Sequence, residues 1–495
     1  MPSAVSRRAL CYGLAAIASV PAWVVRYAPL QDLPLHASTI RILASFRDSA
    51  YGFADNYVLT LGRTQYLLYH VAGALLARIW SPHVANGLLI STYLSGTVLA
   101  LQWLVREIGE DERLCLLVVP LLVNVPFILG LLPFLLGVTI MFAAVAATVR
   151  YVRAPSPALG ALVAALTLAL FYSHVVPFLL FGVAYVALLP WRHPKAWLRM
   201  LIPWAPAAPV VLWWAGFTTA GRVTRGVLFD LTGGSHKAFL ASVTDFYRQV
   251  GDVFTDTSDR RIFVAAALVA AAAAALWAGE RPRTTSGNRA YAALPVACIV
   301  CYFALAEGHD YVFFVAQRFA VLFAMTAIPL LRMPSGWRGH AVAFAVTIVA
   351  LTAVVNTTRH FQRFEAEELG DFEGALRAMT PARRVCALVY DPSSRIVRNA
   401  AFLHFGSYYQ SEKGGVVMFS YAGYPHWPVD FAAGRYPPPG RPARPRWEWM
   451  PERVAMTDIY PYYDYVLTRG PGFAPPPGTY REVWHDDRWA VWTRV

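Results

Sequence analysis

The chain has 495 residues, of which 57% are hydrophobic and 15% are charged, against about 25% charged in an ordinary soluble domain. Those figures exclude a soluble globular protein, a disordered chain and a disulfide scaffold, and they imply a polytopic membrane protein. The formal charge of +13 does not argue for nucleic acid, because most of the positive excess lies in the apolar part of the chain, where it reports topology.

Hydropathy is uneven along the chain. Residues 1–358 hold nearly all of the long apolar runs, while 359–495 are polar, Pro-rich and aromatic. The fold class expected is therefore mainly α: a polytopic helical bundle over 1–358, followed by a small extracytoplasmic α/β domain over 359–495. A spanning helix needs roughly 20 mostly apolar residues. Candidates lie at 9–28, 84–105, 113–129, 131–149, 157–172, 175–190, 197–218, 261–279, 290–306, 312–331 and 338–356, about 11 spans. Basic residues cluster at Arg150/Arg153, Arg192/Lys195/Arg199, Arg281/Arg283/Arg289 and Arg332/Arg338. Placing these clusters in the cytoplasm fixes the alternation and puts the N-terminus inside. Parity then leaves 64–80 as an amphipathic helix on the outer surface. Loops 29–83 and 219–260 face outward, as does 359–495. With this Arg- and Ala-rich composition, the expected location is a bacterial inner membrane with the C-terminal domain periplasmic or extracellular.

The outward polar residues are the candidates for chemistry. The segment Pro29-Leu30-Gln31-Asp32-Leu33-Pro34-Leu35-His36 follows the first span, so Asp32 stands where the chain leaves the membrane. Asp55, in Gly52-Phe53-Ala54-Asp55-Asn56-Tyr57, is the second acid of the same loop, and Arg63 precedes the interfacial helix. His174 sits in the tight turn Tyr172-Ser173-His174-Val175 between two spans. Arg318 follows Glu307-Gly308-His309-Asp310-Tyr311 and is read as about two turns into span 312–331, roughly 10 Å at 1.5 Å per residue. An ionisable side chain in that position faces a cavity or a partner; Glu307 and Asp310 are its nearest acids in sequence. His36, His70, His174 and His309 show neither H-x-x-x-H nor H-E-x-x-H spacing, so no metal and no other cofactor is expected. There is no P-loop and no dinucleotide glycine motif.

The order of these elements resembles the GT-C glycosyltransferases, in particular the branch of protein O-mannosyltransferases and lipid A aminoarabinose transferases. There an outer loop with an acid near its start is followed by juxtamembrane helices and an apolar stretch, here Tyr66-Leu67-Leu68-Tyr69 through Ala77-Arg78, before the second span. The resemblance covers roughly 5–200 in element order and extends loosely to 356. It implies an inverting transferase that moves a sugar from a polyprenyl-phosphate donor to a glycan, lipid or protein acceptor at the outer face. In it Asp32 and Asp55 would be the catalytic acids. Arg318, His174, His36, Arg63, Asn124, Asp310 and Glu307 would contact substrate. Many members carry a further acid in the outward turn between the third and fourth spans. This chain has Asn124 there as the only polar side chain of 124–134, so metal dependence does not carry over. The rival classes are a lipid or solute transporter and a non-catalytic cell-envelope assembly protein. The chain shows no internal repeat, and intramembrane charge is nearly confined to Arg318, which disfavours transport.

In the tail, Arg384–Tyr390, Tyr463–Thr468 and Ala490–Thr493 read as strands and 395–410 as a helix. The run His404-Phe405-Gly406-Ser407-Tyr408-Tyr409-Gln410 suits either contact with the acceptor or ordinary packing. Trp427, Trp447 and Trp449 are candidates for stacking on sugar rings or for the membrane interface.

Overall fold

A computed structural model describes residues 4–229, 239–278, 290–309, 312–438 and 447–495. The chain is mainly helical, with one small mixed sheet. It divides into two compact units. One comprises Met1–Trp23, Ile90–Phe127 and Leu131–Thr358; the other comprises Val24–Leu89, Ile128–Gly130 and Arg359–Val495. The partition differs from a single cut at 358: residues 24–89, which hold the whole of the first outer loop, belong with the tail.

The first unit is apolar. Among the described residues, four helices are long and apolar enough to cross a membrane: Pro82–Ile108, Leu132–Arg153, Ser258–Ala278 and Gly336–Glu367. A fifth is obtained if Ala196–Trp204 and Ala207–Phe217, bent by 60°, form one broken span. Leu132–Arg153 is 89% buried over its apolar window, but Ser258–Ala278 is only 11% buried. On the latter, Val264 and Leu268 stand half or more exposed, as does Phe344 on Gly336–Glu367. Apolar faces of this extent are stable against lipid and costly against water, so the helices are compatible with a membrane protein.

Several of the expected spans have another form. The helix expected over 9–28 ends at Ala18, where Ser19 leads into a 3-10 turn at Val20–Ala22 that contains Pro21. The span expected over 113–129 is not one helix. It is a 3-10 stretch, Glu112–Val118, then the single turns Val119–Leu122 and Val125–Ile128. Pro120 and Pro126 remove the backbone donors a continuous helix would need. The apolar helices Pro157–Ser173, Val175–Leu188 and Ala293–Ala304 are shorter than the roughly 20 residues a spanning helix commonly has.

The loop expected over 219–260 contains two helices, Thr219–Phe229 and Phe239–Gly251; Asp230, His236 and Lys237 lie outside the described residues. On the second helix Phe246 packs edge-on against Tyr302 and Phe323. Asp252 pairs with Arg260 at 2.9 Å, and an Asp259 oxygen accepts the Val253 amide at 2.5 Å. Those acids hold the turn.

In the second unit the strands are β1 (Tyr57–Leu59), β2 (Arg384–Val389), β3 (Val416–Val417), β4 (Val429–Phe431), β5 (Tyr465–Arg469), β6 (Tyr480–His485) and β7 (Trp489–Arg494). Five form a sheet in the order β3-β2-β5-β7-β6. β2 runs parallel to both β3 and β5, and β7 antiparallel to β5 and β6. The helix expected over 395–410 is confined to Ser407–Lys413. It packs on the helix Leu33–Ala44 of the first loop, where Ser38 Oγ donates to Gln410 Oε1 at 2.5 Å and Gln410 Nε2 donates to Tyr57 Oη at 2.6 Å. β1 pairs antiparallel with β4. Glu412 gathers the Arg26 guanidinium at 3.3 Å, Tyr27 Oη at 2.9 Å and His83 Nε2 at 2.9 Å. Burial alone would raise that carboxyl; the bond from His83 and the charge of Arg26 bring it below the ordinary value. The helix expected along 64–80 spans only Leu68–Leu76, and it buries Tyr69, His70, Gly73 and Ala74 inside this unit.

Candidate functional site

Asp32 sits at the N-cap position of Leu33–Ala44, with Pro34 in the first turn. Its carboxylate does not cap the helix. It is 7% exposed and turns to two donors from the tail. His404 Nδ1 lies 3.0 Å from Oδ1, and Tyr421 Oη donates to Oδ2 at 3.0 Å. Burial, reinforced by the Asp32 carboxylate, pushes the Tyr421 hydroxyl well above its usual pKa, so Tyr421 stays a donor. The turn before Asp32 is clamped by 128–130: Gln31 N–H donates to Ile128 O at 3.0 Å and Asp32 N–H to Leu129 O at 3.2 Å. Asn399 Nδ2 donates to Ile128 O at 3.0 Å.

Aromatic rings floor this centre. His404 stacks on Phe419 at 4.9 Å, Tyr421 meets Trp427 edge-on at 4.9 Å, and Trp427 Nε1 donates to Thr39 Oγ1 at 2.8 Å. His36 and His70 lie beneath Trp427, with ring centroids 5.4 and 4.7 Å away. His36 Nδ1 faces His70 Nε2 at 2.9 Å, and the outer nitrogens face carbonyls: His36 Nε2 to Gly130 O and His70 Nδ1 to Tyr66 O, both at 3.0 Å. Two neutral imidazoles carry two protons between them, one fewer than these three contacts can use. Burial disfavours the extra proton. It holds His36 well below the usual imidazole value, with the neighbouring His70 adding to the effect, and lowers His70 to about 4.

A histidine depressed in the folded state binds fewer protons there than when unfolded, so folding stability falls as pH drops. The loss should run from about pH 6.5 toward pH 4 and amount to roughly 1–3 kcal/mol. Unfolding midpoints measured across that range should fall, and His70→Gln should flatten the fall.

The first unit holds a separate polar pair. His174 is the N-cap of Val175–Leu188, and its Nδ1 accepts the Val176 amide at 3.0 Å. Its Nε2 lies 2.8 Å from Arg318 Nη1, and the guanidinium stands 5.4 Å over the Phe134 ring. A neutral imidazole has one lone pair in its plane, so the ring fully accepts from only one of these two donors at a time. Arg318 is not two turns into its helix. That helix begins at Val315, after Phe314 in the left-handed region (φ 57°), so Arg318 is in its first turn. The helix dipole disfavours a cation there. Glu307 Oε1 accepts from Gln317 Nε2 at 3.0 Å, and both residues line a small polar recess with Gln249 and Tyr302. Asp310 lies outside the described residues.

Three further residues expected at the site are placed as follows. Asp55 is exposed in the turn before β1, and it takes no part in the Asp32 centre. Arg63 is likewise exposed, its amide closing a turn onto Thr60 O at 3.0 Å. Asn124 is fully buried: Nδ2 donates to Leu121 O at 2.7 Å, and Oδ1 accepts the Phe127 amide at 3.0 Å. Its hydrogen-bonding capacity is used in ending one short helix and starting the next. Asn124→Ala should lower the unfolding midpoint in detergent, a cost of roughly 1–3 kcal/mol.

Among the described residues no group of three or more His, Cys, Asp or Glu side chains could hold a metal ion, and all five cysteines are free. Tyr421 did not stand out in the sequence, and His404 stood out only as part of a longer aromatic run. Both lie in the tail, roughly 370–390 positions from Asp32, a separation that no local pattern spans. Compared with known families and with curated proteins, the chain matches no family model and no curated protein.

Proposed function

We propose that the chain is an integral membrane glycosyltransferase that moves a sugar from a polyprenyl-phosphate donor to an acceptor hydroxyl outside the cytoplasm, with inversion at the sugar carbon. The observation that carries this reading is the Asp32 carboxylate. It stands at the start of the first loop after the N-terminal helix, is relieved of helix capping, and is held by two donors in a nearly dry setting. Structural N-cap acids bond their own helix amides; this one is oriented for something else. A carboxylate centre of that kind is what removal of an acceptor proton requires.

The supporting topology has about 11 membrane crossings, some of them broken or short, with the N-terminus inside. The second unit then faces outward, in a bacterial inner membrane. Exposed Trp23, Trp191, Trp213 and Trp337 suit the interfacial zones of such a bundle. The leaving group is a lipid phosphate, and Arg318 is the cation assigned to it. No metal is required by the residues that carry the reading.

The test is transfer of labelled sugar from a panel of polyprenyl-phosphate sugars by the purified, lipid-reconstituted chain. Arg318→Gln should raise the donor KM by about tenfold, the loss of one charge-assisted contact. Absence of transfer from every donor would remove the reading; an unchanged donor KM would remove only the role of Arg318.

A further inference from the structure

Asp32 is the conspicuous acid, but both of its oxygens are already engaged. One oxygen is engaged by His404 Nδ1 and the other by Tyr421 Oη. Both oxygens are thus already turned to donors of the tail. The imidazole has the opposite situation. With Asp32 ionised, its oxygen can only accept, so the His404 proton is on Nδ1. The in-plane lone pair of the neutral ring is then on Nε2, and Nε2 has no hydrogen-bond partner among the described residues. The ring is fixed in plane by Phe419, stacked at 4.9 Å with 13° between planes, and flanked by Tyr421 at 5.9 Å. The His404 side chain keeps 3% of its surface exposed and that of Asp32 10%, so a hydroxyl that reaches Nε2 does so with bulk water largely excluded. A buried carboxylate that fixes a tautomer, beside an imidazole with its far nitrogen unengaged, is the arrangement by which a carboxylate makes histidine a general base.

We propose that His404 Nε2, rather than the Asp32 carboxylate, takes the proton from the acceptor, with Asp32 and Tyr421 as positioning residues. This rests on the transferase reading above. In the step, the acceptor O–H bond breaks and its proton passes to Nε2. The oxygen forms its bond to the sugar C1 as the bond from C1 to the donor phosphate oxygen breaks, and that electron pair leaves with the polyprenyl phosphate. The imidazolium is stabilised by the Asp32 charge until its proton passes to water.

The experiment uses the full-length chain in proteoliposomes with the donor panel, comparing the parent with His404→Gln, His404→Ala and Tyr421→Phe. His404→Gln should keep a donor toward Asp32 and lower turnover by about 10²–10⁴-fold, with donor KM nearly unchanged. His404→Ala should be similarly slow and regain part of its rate when imidazole is added, a recovery that a purely structural role would not give. Tyr421→Phe should lose less than tenfold. If the parent transfers sugar and His404→Gln stays within threefold of it, the proposal is wrong and Asp32 itself is the base. The proposal is also wrong if His404→Ala folds, by its unfolding midpoint, yet imidazole restores nothing. A parent inactive with every donor overturns the transferase reading, and this inference with it.

Discussion

Asp32→Asn should leave the chain folded and nearly abolish transfer. The amide is isosteric with the carboxylate and can still accept from Tyr421 Oη, now at 3.0 Å. Its NH2 group then faces His404 Nδ1, across a contact of 3.0 Å, where it clashes with a protonated nitrogen. The ring relieves the clash by moving its proton to Nε2, which removes the lone pair from the acceptor side. A tautomer error of this kind lowers turnover by about 10³–10⁴-fold in histidine-based sites. The stability loss should stay near 1–2 kcal/mol, because no buried group is left without a partner. Asp32→Leu differs, since it strands two buried donors at about 1–3 kcal/mol each. Turnover and the unfolding midpoint in detergent, measured on both variants, separate the chemical effect from the structural one. Turnover of Asp32→Asn within tenfold of the parent would show that the carboxylate has no part in the chemistry.

Gly130→Ala should damage the same centre without altering any of its side chains. Gly130 has φ +79°, and a Cβ there would lie 2.9 Å from Asp32 N and 3.1 Å from Leu33 N. Both contacts are backbone, so neither can rotate away. The left-handed conformation costs a residue with a Cβ about 1–2 kcal/mol, and displacing the turn brings the total to roughly 2–4 kcal/mol. The same shift lengthens the Asp32 amide bond to Leu129 O and the His36 contact to Gly130 O. A displacement near 1 Å at a reacting group costs on the order of 10²-fold in rate. Turnover and thermal midpoint should therefore fall together, whereas in Asp32→Asn the first falls alone.

Three strands of the tail are legible from side-chain pattern alone. Residues 384–390 form a short continuous apolar run, as a buried strand does, while 463–468 and 490–493 are rich in β-branched and aromatic residues; β2, β5 and β7 fall there. β6 is not legible in the same way. Tyr480–His485 is a mostly exposed edge strand with charged Arg481 and Glu482, so burial leaves no pattern on it. The helical reading of 395–410 fails because its apolar residues, among them Ala401, Phe402 and Phe405, fill a core as consecutive turns. The acid at position 32 is legible from its place after the first apolar run. Its partners are not. Periodicity reports neighbours within one helix or strand, whereas His404 and Tyr421 reach Asp32 through tertiary packing of the tail on the first loop. Asn124 misleads for a related reason: a lone polar residue in an apolar turn has the same sequence signature whether it binds a ligand or ends a helix.

The pairing of β1 with β4, and of Asp32 with His404 372 positions later, sets an order of events during biosynthesis. Residues 24–89 leave the ribosome early, but the strand and the imidazole that complete their fold come only near the end of the chain. At about 5–20 residues per second the interval is roughly 20–70 s. Throughout it the early segment has neither its sheet partner nor its buried hydrogen bonds to the tail. A nascent chain truncated before β4 should therefore expose the 24–89 segment to protease, and the Asp32–His404–Tyr421 cluster can come into being only once more than about four-fifths of the chain has been made.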